Sequence, residues 1–225
     1  VYASAEFKGD REIMLEAVKH DGDALRFAST ELQGDREIVL EAVKSQGYAL
    51  QFASAELQGD REIVLEAVKR HGWALKYASA ELRGDREIVL EAVKNYGEAL
   101  KYASAEFQGD HEIVLEAVKS EGKALKYTSK ELQGNREIIR ASYLSSPMAL
   151  EYSKGIYAND LLLIFECLGR DARYVCCLNR MKDKELFNRF SLDLRRRIDY
   201  FSSVFIDDWH DASDNDLEEL MGVNY

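Results

Sequence analysis

The chain has 225 residues, 46% of them hydrophobic, with one proline and 14 glycines, which excludes a disordered or proline-rich linker and leaves ample material for a core. A formal net charge of -11 argues against nucleic-acid binding, which needs a positive footprint. No run of about 18 apolar residues is present, so no membrane span is expected.

The chain opens Val1-Tyr2-Ala3-Ser4, without a starting Met and with neither the basic nor the apolar region of a signal peptide, so a fragment or processed product is expected. Val1 to Lys8 match the second half of a unit that then repeats. A glycine frame starts at Gly9 and recurs at Gly34, Gly59, Gly84, Gly109 and Gly134, always 25 residues on. The units over 9–133 are close copies, the one over 134–158 is degenerate, and a half-unit persists over 159–168.

Each unit holds two helical patterns. The first spans about Asp35 to Ser45, with Asp35 as N-cap, Glu37 in the first turn, Lys44 in the last and Gly47 as the residue just past the end. Ile38, Val39, Leu40, Ala42 and Val43 give it a broad apolar surface. The second spans about Tyr48 to Leu57 and stops at Gly59, with Leu50, Ala53 and Leu57 on one side. Eleven of the 14 glycines fall in this frame, two per unit, so they express a backbone rule. Neither helix is long enough to be stable alone, and one pair cannot enclose its own apolar face, so the units must stack. The expected architecture is an all-α fold: an α-solenoid of two-helix, 25-residue repeats over 1–158, with a C-terminal helical cap over 159–225. A parallel β-helix of the same period is rejected because the apolar spacing is helical.

The string EAVKxxGxALxxAS, as in Glu66 to Ser79, resembles a family of short repeats known only as a domain of unknown function, seen in bacterial proteins, including those of intracellular pathogens, and in algae and protists. The resemblance covers about residues 1 to 155 and implies an α-helical repeat fold with no assigned activity. The segment from Asn159 on resembles no known family.

Comparison between units separates constant from drifting positions. An aromatic ladder, Tyr2, Phe27, Phe52, Tyr77, Tyr102, Tyr127 and Tyr152, is expected to be core packing, with a stacking platform for bases as the weaker alternative. Constant charges, Arg36, Glu37, Glu41, Lys44 and Glu56 with their counterparts, read as a mutually screened solvated face, the alternative being an acidic strip for a basic partner. Drift concentrates at the turn between the helices. Neutral change of exposed residues explains much of it, but Trp73, with Tyr48, His71 and Tyr96 in the same part of the frame, marks a candidate partner-binding ridge, because large aromatics at positions elsewhere polar are typical of hot spots.

In unit six Arg140 replaces the frame Leu, Tyr143 the frame Val and Pro147 the turn Gly. Beyond it, helices are expected over Asp171 to Arg180 and along the stripe Phe187, Phe190, Leu194, Ile198, Phe201 and Phe205. A short last one follows Ser213 and ends at Gly222. Chemistry is hard to find. His20, His71, His111 and His210 are scattered, Cys176 and Cys177 read as buried thiols, and the odd count of three cysteines with Cys167 points to a reducing, intracellular compartment. The acidic run at Asp207, Asp208, Asp211, Asp214 and Asp216 lacks the calcium-loop glycine. Arg195, Arg196 and Arg197 are a weak anion site at best. The function expected is therefore a non-enzymatic protein–protein interaction scaffold without a cofactor. A structural spacer is the runner-up, and an enzyme built on the C-terminal segment comes last.

Overall fold

The computed structural model describes residues 9–146 together with Ala149 and Tyr152. The expected cap over 159–225, the cysteines, the acidic run, the arginine triplet, Tyr2 and Pro147 lie outside the described residues.

All regular structure among the described residues is helical. Six ten-residue helices carry the first half of each unit: α1 (Arg11–His20), α2 (Arg36–Ser45), α3 (Arg61–Arg70), α4 (Arg86–Asn95), α5 (His111–Ser120) and α6 (Arg136–Ser145). Each starts where the sequence predicts. In α2 the Asp35 carboxylate accepts from the amides of Glu37 and Ile38 at 3.0 and 3.1 Å, and Asn135 does the same for α6. This satisfies amides that have no partner within the helix.

The second half of the unit departs from expectation. It is not one α-helix from Tyr48 to Leu57 but two 3-10 segments, Gly47–Phe52 and Leu57–Gly59, separated by extended backbone at Ala53. The break has a cause. The amide of Ser54 turns away from its own helix and donates to the carbonyl of Gln33 in the preceding unit at 2.9 Å, as Ser79 does to Gln58, Ser104 to Arg83 and Ser129 to Gln108. The Gln58 side-chain amide then donates to the carbonyl of Ala53 at 3.1 Å and to that of Leu50, which also accepts from the Ala53 amide, at 3.2 Å. An Ala-Ser pair backed by a Gln five residues on thus exchanges helix continuation for a rung between units. Unit four closes differently, with a single α-turn at Ala105–Gln108.

Gly47 stands where expected, just past the end of α2, but for a different reason. Gln46 is the cap, in extended backbone, and Gly47 opens the 3-10 segment. It must be glycine because a Cβ there would lie 2.3 Å from the carbonyl oxygen of Ala67 in the next unit's helix. Gly22, Gly72, Gly97 and Gly122 meet the same wall at 2.2 to 2.3 Å. The other series is under no such constraint: around Gly84 a Cβ would meet nothing within 4 Å.

Consecutive units pack α-helix on α-helix and 3-10 segment on 3-10 segment, giving two layers that share one core. Ile38, Ile63, Ile88, Ile113 and Ile138 are fully buried, with the frame Val, Ala and Leu around them, each such side chain contributing about 1.5–3 kcal/mol. Ile13, at the edge of the described residues, is 44% exposed. Unit six keeps its register despite its altered sequence, since Ile139 and Tyr143 are buried in the places of the frame valines. No helix among the described residues is long and apolar enough to cross a membrane.

Candidate functional surface

The two layers present different surfaces. On the α layer each arginine at the first helical position reaches forward one unit. Arg36 Nε lies 3.1 Å from the Asp60 carboxylate and its Nη2 bonds Glu62; Arg11, Arg61 and Arg86 repeat the clamp on Asp35 and Glu37, Asp85 and Glu87, and Asp110 and Glu112. Where His111 takes the arginine's place it still faces Glu137, at 3.3 Å. The capping carboxylates of Asp35, Asp60, Asp85 and Asp110 sit below the usual aspartate range. At Asp35 the largest cause is the bond from Arg11; at Asp60 and Asp85 burial pushes upward and is outweighed by the amides of Ile63 and Ile88 together with the arginine. The arginines and the acidic residues that start the next helix thus interleave along this face, and Lys44 pairs with Glu41 within α2.

The 3-10 layer is different. In a 3-10 segment residues i and i+3 eclipse, so the second and fifth residues of Gly72–Tyr77, Trp73 and Lys76, share a side, with Tyr77 adjacent. Lys76 Nζ lies 4.8 Å from the Trp73 ring centroid and 5.4 Å from that of Tyr77. Trp73 meets Tyr77 edge-on at 5.7 Å and reaches Tyr102 of the next unit at 6.3 Å. Lys101 continues the column over Tyr102 and Tyr127 at 4.7 and 5.8 Å, and Lys126 over Tyr127 and Tyr152 at 4.6 and 5.7 Å. Among the described residues the aromatic ladder therefore edges the core instead of filling it. Phe27 is 40% exposed, Phe52, Tyr77, Tyr102, Tyr127 and Tyr152 are half-buried and packed against the core, and the four tyrosines hold lysines on their other side.

The four ridge residues do not form one cluster. Trp73, 37% exposed, belongs with the aromatic–lysine column. Tyr48 is half-buried and meets the His71 ring edge-on at 5.5 Å. His71 has a duty of its own: its Nδ1 accepts from the Gly47 amide at 3.1 Å. Ser45, Asn95 and Ser145 do this for Gly22, Gly72 and Gly122, so part of the drift at the turn is a choice among side chains that can accept. Tyr96 is half-buried, its hydroxyl pushed above the ordinary tyrosine range by burial and by Glu98 and Glu121. Sequence reasoning missed Glu98 and the lysines. The available signal was the Lys-Tyr pair at 76–77, 101–102 and 126–127, where earlier units carry Arg-Phe and Gln-Phe.

In unit four the position of Trp73 is taken by Glu98. Its carboxylate receives Lys126 Nζ at 3.1 Å on both oxygens and the Tyr127 hydroxyl at 3.0 Å. Burial raises the Glu98 pKa, but these donors outweigh it and hold the carboxylate below its usual range.

Residues 1–33, 10–58, 35–83, 60–108, 85–133 and 110–154 each match the family described as Domain of unknown function (DUF4116). The chain belongs to that family. Each full-length match spans two neighbouring units, as expected if one DUF4116 unit is stable only against the next. No curated protein and no solved structure matches the chain. Among the described residues of this DUF4116 array no three His, Cys, Asp or Glu side chains are grouped to hold a metal ion.

Proposed function

We propose that the chain is a non-catalytic scaffold that grips another protein through the outer face of its 3-10 layer. The observation that carries this reading is Trp73. The fold does not need an aromatic there, since Asp23, Glu98 and Lys123 occupy the same frame position on the same backbone. Yet Trp73 is held rigid by two rings and a lysine with over a third of its surface open, the arrangement of a pre-ordered hot-spot anchor. The clamped α layer supplies a stiff backing that needs no partner. The odd number of cysteines fits work in a reducing, intracellular compartment.

The test is affinity capture from the native source with the wild-type chain and with the double variant Trp73→Ser/Tyr48→Ser, read by mass spectrometry. The scaffold reading expects at least one protein retained by the first and lost from the second. Identical captures would remove the 3-10 face as the gripping surface.

A further inference from the structure

We infer that the 3-10 face recognises an extended acidic segment, its Lys-Tyr pairs each receiving one carboxylate on either side of the Trp73 anchor; this rests on the scaffold reading above and names the partner's chemistry. The chain contains its own example of the contact. Lys126 and Tyr127 chelate a carboxylate supplied from the preceding unit, that of Glu98, which is only 14% exposed. The same pair of residue types stands at Lys76-Tyr77 and Lys101-Tyr102, on the same 3-10 position. There the preceding unit offers Tyr48 and Trp73 in place of a carboxylate, and among the described residues neither lysine has a carboxylate in hydrogen-bonding range.

Two Lys-Tyr pairs of the Glu98-binding type thus stand without a carboxylate on adjacent units, and the partly exposed Trp73 indole packs edge-on against both of their tyrosines. The charge at the second and fifth positions of the 3-10 segments agrees: Arg26, Lys76, Lys101, Lys123 and Lys126 stand there against Asp23 and Glu98, in a chain whose net charge is -11. Among the described residues most of the acids lie on the α layer. An acidic partner is steered to this face and repelled elsewhere. Adjacent helices pack about 8–10 Å apart. A chain in polyproline II conformation rises about 3.1 Å per residue and brings every third residue to one side. Carboxylates three residues apart therefore match the pitch of the array, with an apolar residue between them for Trp73.

The probe is a short fluorescein-labelled peptide with glutamate at every third position in a proline background and one leucine between two glutamates. Its anisotropy is followed on the full chain at low salt, with tryptophan emission as a second readout, the signal of Trp209 being taken from Trp73→Phe. The same peptide with glutamines and a single-stranded oligonucleotide of equal charge serve as controls. Binding of the acidic peptide alone is expected, weakened at least about tenfold in Lys76→Glu/Lys101→Glu with an unchanged melt. Glu98→Gln, which frees the Lys126–Tyr127 receptor, is expected to tighten binding a few-fold, whereas Glu56→Gln, the same charge change outside the column, leaves it unaltered. Equal or tighter binding of the oligonucleotide, or an acidic peptide indifferent to the lysine reversal, overturns the inference. The two readings separate cleanly. A native partner lost from Trp73→Ser/Tyr48→Ser but retained by Lys76→Glu/Lys101→Glu leaves the scaffold standing and removes the acidic segment.

Discussion

The α layer and the 3-10 layer are built from the same units, yet they differ in what they tolerate. In the α layer the residues that join units, Asp35 with Arg11, Asp60 with Arg36, and the buried series Ile38, Ile63 and Ile88, recur almost unchanged. In the 3-10 layer one position holds Asp23, Tyr48, Trp73, Glu98 and Lys123 in turn without altering the backbone. Repetition therefore marks what the stack needs, and variation marks where the stack is indifferent and a partner can be served.

Several substitutions would break or sharpen this contrast. The largest effect belongs to the shared core. Ile88→Ala should cost about 2–5 kcal/mol by thermal or denaturant unfolding, because Ile88 is fully buried between neighbouring units that cannot collapse onto the void. Next come the two glycine series, which should respond with opposite signs. Gly72→Ala drives a Cβ to 2.3 Å from the Ala92 carbonyl and to 2.9 Å from Tyr96 Cβ, so it should destabilise by about 1–3 kcal/mol or more. Gly84→Ala meets nothing within 4 Å and should be neutral or raise stability by about 0.4–1 kcal/mol through the unfolded chain. Equal losses at both would mean that the second glycine series has a role the geometry does not reveal.

Asp60→Ala removes the α3 cap and should cost about 0.5–2 kcal/mol. The pH dependence has a definite sign. Asp35, Asp60, Asp85 and Asp110 titrate below their unfolded value of about 3.9, so their contribution is complete above that pH and is lost as the pH falls through the folded values. An acid melt monitored by circular dichroism should show the array weakening only below about pH 4. The smallest effect is expected at Arg36→Gln. The clamp is half solvent-exposed, so the loss should fall within the scatter of surface changes and vanish in high salt. A large, salt-insensitive loss would make the arginine ladder a principal stabiliser.

The first half of each unit was legible because its signals are local: Asp35 caps the helix it precedes, and the Ile, Val and Ala spacing fixes the buried face. The second half was not, because its backbone is decided between units. Nothing local in GYALQFASAEL announces that Ser54 will donate to Gln33, or that Gly47 is glycine because Ala67 of the next unit lies against it. The same blindness placed the aromatic ladder in the core. Tyr77 and Tyr102 have the spacing of core residues, but a 3-10 segment turns them to the boundary, where the lysine that precedes each in sequence covers it. The ridge was partly visible. Trp73 stood out as an aromatic in a polar series, whereas His71 drew notice for its type and turned out to hold the Gly47 amide.

Trp73→Glu tests the separation of the two layers most directly, since unit four shows that this frame position accepts glutamate when a Lys-Tyr pair follows, as Lys101-Tyr102 does here. The variant should melt within about 0.5 kcal/mol of the parent. It should also lose the acidic peptide and any native partner by at least about tenfold, the anchor being gone and one receptor filled from within. A collapsed melt with binding retained would contradict the account, because it would place Trp73 among the residues the stack requires.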